Sequence, residues 1–371
     1  MIKRILTSTI ENKIGSGKAI ILVGPRQVGK TTLIRNLLKN KSFLFLDGDD
    51  PVAQRILKNA NTEQLRDLIK ESPFVFIDEA QRIENIGITL KLITDQIKST
   101  QLFITGSSSF EIGNLMREPL TGRKWEYTLY PVSWKEFRDY VGLLKAEQQL
   151  PLRLVYGMYP EIITHPNDEY ELLKQLTESY LYKDILSYSG IRKPEILNNL
   201  LRALAFQVGS EVSYRELALL LGVDTKTVSA YIDLLEQAYV IFKLTPFSRN
   251  LRNEIKRNQK IYFYDNGLLN TVKGNLNPWE TREDKGMLWE NFLVSERIKK
   301  NSYELSLTQS YFWRTQQQQE VDYVEESGGK VMGYEFKWSS KAKVKEPHTF
   351  RKTYNAGFKV IHAENFNDFL L

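Results

Sequence analysis

Apolar residues follow two rhythms along this chain, and the alternation between them sets out its elements. Continuous apolar runs read as buried strands, and they fall at 19–23, 42–46, 73–77, 101–105 and 125–130, the last closed by Pro131. Between them the spacing turns helical: Leu33, Leu37 and Leu38 follow the first run, and helical patterns fill 52–70 and 85–98. Strands separated by helices predict right-handed crossovers and a parallel sheet, with a ligand at the carboxyl ends of the strands. Ahead of the sheet, Ile2, Ile5, Leu6 and Ile10 stripe a segment expected to pack on the first strand.

The second half changes pattern. A turn is expected over 151–160 and a helix over 168–187, and Pro194 opens a new unit. Leu197, Leu200, Leu201 and Leu204 mark one helix, Ser213-Tyr214-Arg215-Glu216 is a capping box opening a second that ends at Gly222, and Asp224 caps a third. The third buries Val228, Ile232 and Leu235 at helical spacing, and 239–244 reads as a wing strand. Three helices and a wing make a winged helix-turn-helix. The outer face of the third helix shows Thr225, Lys226 and Thr227, small polar groups suited to a DNA groove or its phosphates. Arg249, Arg252, Lys256, Arg257 and Lys260 follow, a basic run that either favours nucleic acid or is a solvated linker. Such a module serves equally as a protein contact. A helix over 286–299 and strands at 311–314, 320–323 and 332–338 complete the chain.

The densest chemistry follows the first strand. Gly24-Pro25-Arg26-Gln27-Val28-Gly29-Lys30-Thr31 is a full G-x-x-x-x-G-K-T, with Thr32 behind it, in the strand–loop–helix context that a P-loop requires. Its glycines let backbone N–H groups converge on a phosphate, and the helix start adds its dipole. Lys30 would bridge the β- and γ-phosphates of ATP, and Thr31 would ligate Mg²⁺. The run at 73–77 delivers Asp78, placed to hold Mg²⁺ through water, and Glu79, placed to polarise the attacking water. Ser107, in Gly106-Ser107-Ser108-Ser109, either senses the γ-phosphate or helps cap the next helix. Arg123 is either an arginine finger, acting in cis or from a neighbouring subunit of an oligomer, or an ordinary carboxylate-paired arginine.

Composition narrows the setting. The length of 371 residues suggests two or three domains, and 42% hydrophobic with 26% charged residues is ordinary for a soluble globular chain. There is no cysteine, so disulfides and thiolate metal sites are excluded. The start lacks a hydrophobic signal core and no apolar run is long enough to span a bilayer, so a cytoplasmic protein without a membrane partner is expected. The net charge of +6 permits a polyanionic partner without demanding one.

GPRQVGKTTL, FIDEAQRI, TGSSS followed by LTGR, and YPVSWKEF resemble the prokaryotic AAA-like ATPases that carry a C-terminal domain of unassigned role. The resemblance continues through Gly157-Met158-Tyr159-Pro160-Glu161, Tyr182-Lys183-Asp184-Ile185, Tyr262 to Leu268 and Trp289-Glu290-Asn291-Phe292, nearly the full length. It implies an additional-strand, catalytic-glutamate ATPase core and a C-terminal part similar to the PD-(D/E)xK nucleases. The expected fold class is α/β: a P-loop ATPase core with a parallel sheet (1–140), a helical lid and connector (141–194), the winged helix (195–250) and a nuclease-like domain (251–371).

In that last part Glu335 and Lys337 sit two apart on one strand and share a face, and Asp322 lies one hairpin upstream. Asp322 and Glu335 would hold Mg²⁺ or Mn²⁺ while Lys337 orients an attacking hydroxide. Glu290 resembles the helix acid that completes such sites. The motif lacks the proline before Asp322, and Gln316 to Gln319 occupy the preceding turn. Two functions follow. One is an ATPase acting on DNA, with or without metal-dependent cleavage. The other is a nucleotide-driven switch whose winged helix binds protein and whose last domain is catalytically silent.

Overall fold

Five strands, the first four joined by helical crossovers, assemble as the pattern dictates. They are β1 (Ala19–Val23), β2 (Leu44–Asp47), β3 (Phe74–Asp78), β4 (Gln101–Gly106) and β5 (Lys124–Thr128), all parallel in the order β2-β3-β4-β1-β5. β1 and β4 are buried along their whole length because helices cover both faces of such a sheet. β4 lies between β1 and β3, so the carboxyl ends of β1 and β3 stand about 10 Å apart with one strand between them. The structure is a computed structural model that describes residues 1–107, 120–178, 193–248, 259–315, 317 and 319–371. It divides into two compact units, Met1–Pro131 with Gln237–Tyr239, and Val132–Glu236 with Val240–Leu371.

Two local expectations are corrected. The pattern over 52–70 is not one helix but two, Pro51–Leu57 and Thr62–Ile69. Asn59 adopts a positive φ of 55°, and Asn61 starts the second helix with a reciprocal capping box to Gln64, which a continuous helix could not contain. Residues 151–160 are not a turn throughout: the helix Leu143–Tyr156 runs through Pro151 and ends at Gly157. An internal proline forfeits one helical hydrogen bond, and the burial of Leu150, Leu154 and Val155 offsets that loss.

The second unit contains a mixed seven-stranded sheet: β6 (Glu211–Val212), β7 (Ile241–Pro246), β8 (Gln259–Phe263), β9 (Gln309–Arg314), β10 (Glu320–Ser327), β11 (Lys330–Phe336) and β12 (Gly357–Ile361), ordered β12-β11-β10-β9-β7-β8-β6. The parallel β7–β9 pairing joins strands from either side of residue 250 into one sheet. Helices Pro194–Phe206, Tyr214–Leu221 and Thr225–Gln237 precede β7. The long helix Lys285–Tyr303 places Trp289 and Phe292 against Trp134, Trp338 and Phe366, an aromatic cluster that anchors this unit. No helix among the described residues is long and apolar enough to cross a membrane.

Candidate functional site

β1 hands the chain to Gly24, whose φ is +140° and where a Cβ would lie 2.1 Å from the Leu129 carbonyl oxygen, so only glycine fits. Gln27 and Gly29 also have positive φ, which curls the loop back to the start of helix Lys30–Leu37. Arg4 holds the loop from the N-terminal segment, donating to the Val28 and Tyr130 carbonyls at 2.6 Å each. Lys30 is buried, and its Nζ donates to the Gly24 and Pro25 carbonyls at 2.9 and 2.7 Å. Burial pushes its pKa down to about 8, against the pull of the Glu79 and Asp78 carboxylates.

Asp78, at the end of β3, accepts from the Thr31 hydroxyl at 2.8 Å and also from the Thr105 hydroxyl. Glu79 sits at φ 46°, a left-handed turn that swings its carboxylate off the strand direction. Gln81 donates to Glu79 at 2.5 Å and to Ser107 at 3.0 Å, so one amide bridges the two. Gly48 donates its N–H to the Asp78 carbonyl at 2.8 Å, and a Cβ there would meet the Glu79 carbonyl oxygen at 2.2 Å. The fold therefore gathers Lys30, Thr31, Asp78, Glu79 and Ser107. Sequence reasoning missed Thr105, Gln81 and Gly48. Gln81 had a signal, a polar residue two past Glu79 in the same turn; the other two depend on strands brought alongside.

These residues fit a Mg²⁺-bound nucleoside triphosphate. Lys30 turns its ammonium onto loop carbonyls at the point where phosphate oxygens would take their place, and Thr31 and Asp78 present two oxygens side by side. Mg²⁺ held there would neutralise phosphate charge. Arg123 is not brought to the loop within its own chain. Its backbone accepts from Ala19 at the start of β1, and its guanidinium pairs with Asp95 at 2.6 Å. That puts it a strand length, roughly 16 Å, from the phosphate end.

The second group of predicted residues also meets, with an addition. β10 and β11 form an antiparallel hairpin in which Tyr323 faces Tyr334, and a bulge against β9 falls at Asp322 and Tyr323. Asp322 accepts from the Phe336 N–H at 2.9 Å, and Lys337, one residue beyond the end of β11, donates to Glu335 at 2.8 Å. Glu290 accepts from the Tyr262 hydroxyl at 2.7 Å. Burial pushes Glu290 up to about 7 and raises Asp322 and Glu335. The addition is Lys260. Expected in a basic surface run, it is 1% exposed instead, with Nζ 2.5 Å from Glu320 and 3.5 Å from Glu290. Its place on β8, paired with Glu211 on one side and Leu244 on the other, turns it inward. Among the described residues no group of three or more His, Asp or Glu side chains is placed to hold a metal ion.

In the helical segment, Asp224 caps helix Thr225–Gln237 by accepting from the Thr227 N–H at 2.7 Å and the Thr227 hydroxyl at 3.1 Å. Thr227 is thus engaged at home, while Thr225 and Lys226 are exposed. Arg252 and Arg257 lie outside the described residues.

Residues 16–138 match the model of an AAA domain, and residues 147–278 and 285–367 match two domains of unknown function, DUF8612 and DUF4143. The uncharacterized protein Rv2008c of Mycobacterium tuberculosis is 30% identical over 343 residues, covering 91% of this chain and 74% of the relative. The uncharacterized protein MJ1544 of Methanocaldococcus jannaschii is 24% identical, over 86% of this chain and 75% of the relative. Among solved structures, a Walker-type ATPase of Pyrococcus abyssi shares the fold with a TM-score of 0.50 at 15% identity, covering 74% of this chain and 96% of that one. With an AAA-type ATPase domain ahead of DUF8612 and DUF4143 domains, the chain belongs to the same family as Rv2008c.

Proposed function

We propose that the chain is an ATP-hydrolysing switch that engages DNA through its second unit. The observation that carries the nucleotide reading is the Thr31–Asp78 hydrogen bond beside a buried Lys30, two oxygens and a cation at the mouth of a folded phosphate loop. Lys30 and the loop N–H groups bind phosphates, and Glu79 orients water and takes its proton as the bond to the γ-phosphorus forms. Ser107, tied to Glu79 through Gln81, is the contact through which loss of the γ-phosphate is felt at β4. On this reading Gln81→Ala lowers turnover about tenfold while leaving ATP affinity near wild type, since it loosens the base rather than the phosphates. Steady-state kinetics beside equilibrium ATP binding checks the split.

For DNA, three helices, the short strand β6 between the first two and the antiparallel β7–β8 pair have the element order of a winged helix. Exposed Thr225 and Lys226 stand at the start of its third helix. Duplex binding by fluorescence anisotropy, with ATP or ADP, tests this reading. Lys226→Glu is expected to weaken binding across sequences and flatten its salt slope; unchanged affinity and slope count against DNA at this face. A protein partner is the second reading, and one observation favours it: Leu219 and Leu220, at the end of the preceding helix, are 76% and 69% exposed. We read the terminal sheet, nuclease-like in its helix acid and β-hairpin, as a coupling module that does not cleave.

A further inference from the structure

A nuclease-like site needs a divalent cation because its carboxylates repel one another when brought together. Asp322 and Glu320 act on the charge of both Glu290 and Glu335 here. Yet the charge is already answered. Lys260 projects from β8 into the group, contacts Glu320 and Glu290, and feels Asp322 as well. Its Nζ lies 2.5 Å from Glu320 and 3.5 Å from Glu290, so one ammonium serves two carboxylates. Other oxygens are also engaged: Asp322 with the Phe336 N–H, Glu290 with Tyr262, and Glu335 with Lys337.

We infer that Lys260 is the resident cation of this cluster, occupying the electrostatic place of the metal ion, so that the terminal sheet takes no divalent ion while β8 is in position. The ammonium is a point charge with three donors, enough to serve several carboxylates at once. It comes from the β7–β8 pair rather than from the nuclease-like strands. The cluster thereby fastens β8 to β10 and the helix Lys285–Tyr303, and the acids that resemble a catalytic set become an internal joint. This accounts for acids in a nuclease-like arrangement where no metal group forms among the described residues.

Mn²⁺ titration of the nucleotide-free full chain, followed by electron paramagnetic resonance, with Asp322→Asn as control, tests this. The expected result is that wild type shows no ion lost in Asp322→Asn. Lys260→Met then gains one such ion, binding at least about tenfold tighter than wild type, and its melting temperature rises with Mn²⁺ where that of wild type does not. Lys260→Arg keeps the charge and behaves as wild type. A wild-type ion that disappears in Asp322→Asn overturns the inference, whether or not Lys260→Met folds. A folded Lys260→Met with no gain in Mn²⁺ binding overturns it equally.

Discussion

Glu79→Gln is expected to bind ATP as wild type does and to hydrolyse it about 10²–10⁴ times more slowly, the range for loss of a general base. The carboxylate lies off the end of β3 in a left-handed turn and is held by Gln81, whereas the Lys30 ammonium donates to the Gly24 and Pro25 carbonyls. Its removal therefore leaves phosphate binding intact. Lys30→Ala differs in kind. It deletes the buried cation of the loop, so ATP affinity and turnover fall together. Equilibrium binding and single-turnover hydrolysis on the two variants separate the roles. Full turnover in Glu79→Gln assigns the water to another group.

Asp265→Ala is expected to produce the largest loss of stability of any change outside the phosphate loop, about 3 kcal/mol. Asp265 is buried after β8, and its carboxylate accepts from the Met158 N–H at 2.6 Å and the Leu268 N–H at 3.0 Å, capping helix Asn266–Lys273. Two chain segments meet on it: a Cβ at Gly157 would strike its Oδ1 at 2.1 Å, and one at Gly267 would strike the Tyr156 carbonyl at 2.2 Å. Alanine leaves two buried donors unmet. Urea unfolding should show a lower midpoint for the second unit at unchanged slope; a midpoint like that of wild type would show that water replaces the carboxylate.

How much of this was legible depends on how local the signal is. The phosphate loop, Asp78 and Glu79 are contiguous with their strands, so an apolar run ending in the right residues was enough. The three helices between Pro194 and Gln237 were also local signals, down to the Asp224 cap. Gly48 and Thr105 act through neighbours brought in by β2 and β4, which no short window contains. Lys260 misled for the same reason. In a row of arginines and lysines it looked like surface, and only the pairing of β8 with β7 and β6 turns it inward. Pro151 misled in the opposite sense, since tertiary burial of its neighbours outweighs a local helix-breaking preference. Arg123 had two local readings, and its ion pair with Asp95, at the far end of β1, matches the carboxylate-paired one.

The most direct test of the central claim is phosphate release by the purified full chain from ATP, in Mg²⁺ and in EDTA, beside Thr31→Ala. Thr31 and Asp78 share one hydrogen bond at the loop, so turnover is expected in Mg²⁺, absent in EDTA, and reduced by orders of magnitude in Thr31→Ala. Hydrolysis that persists in EDTA or is untouched in Thr31→Ala, or a wild-type chain that neither binds nor cleaves ATP, would contradict the account.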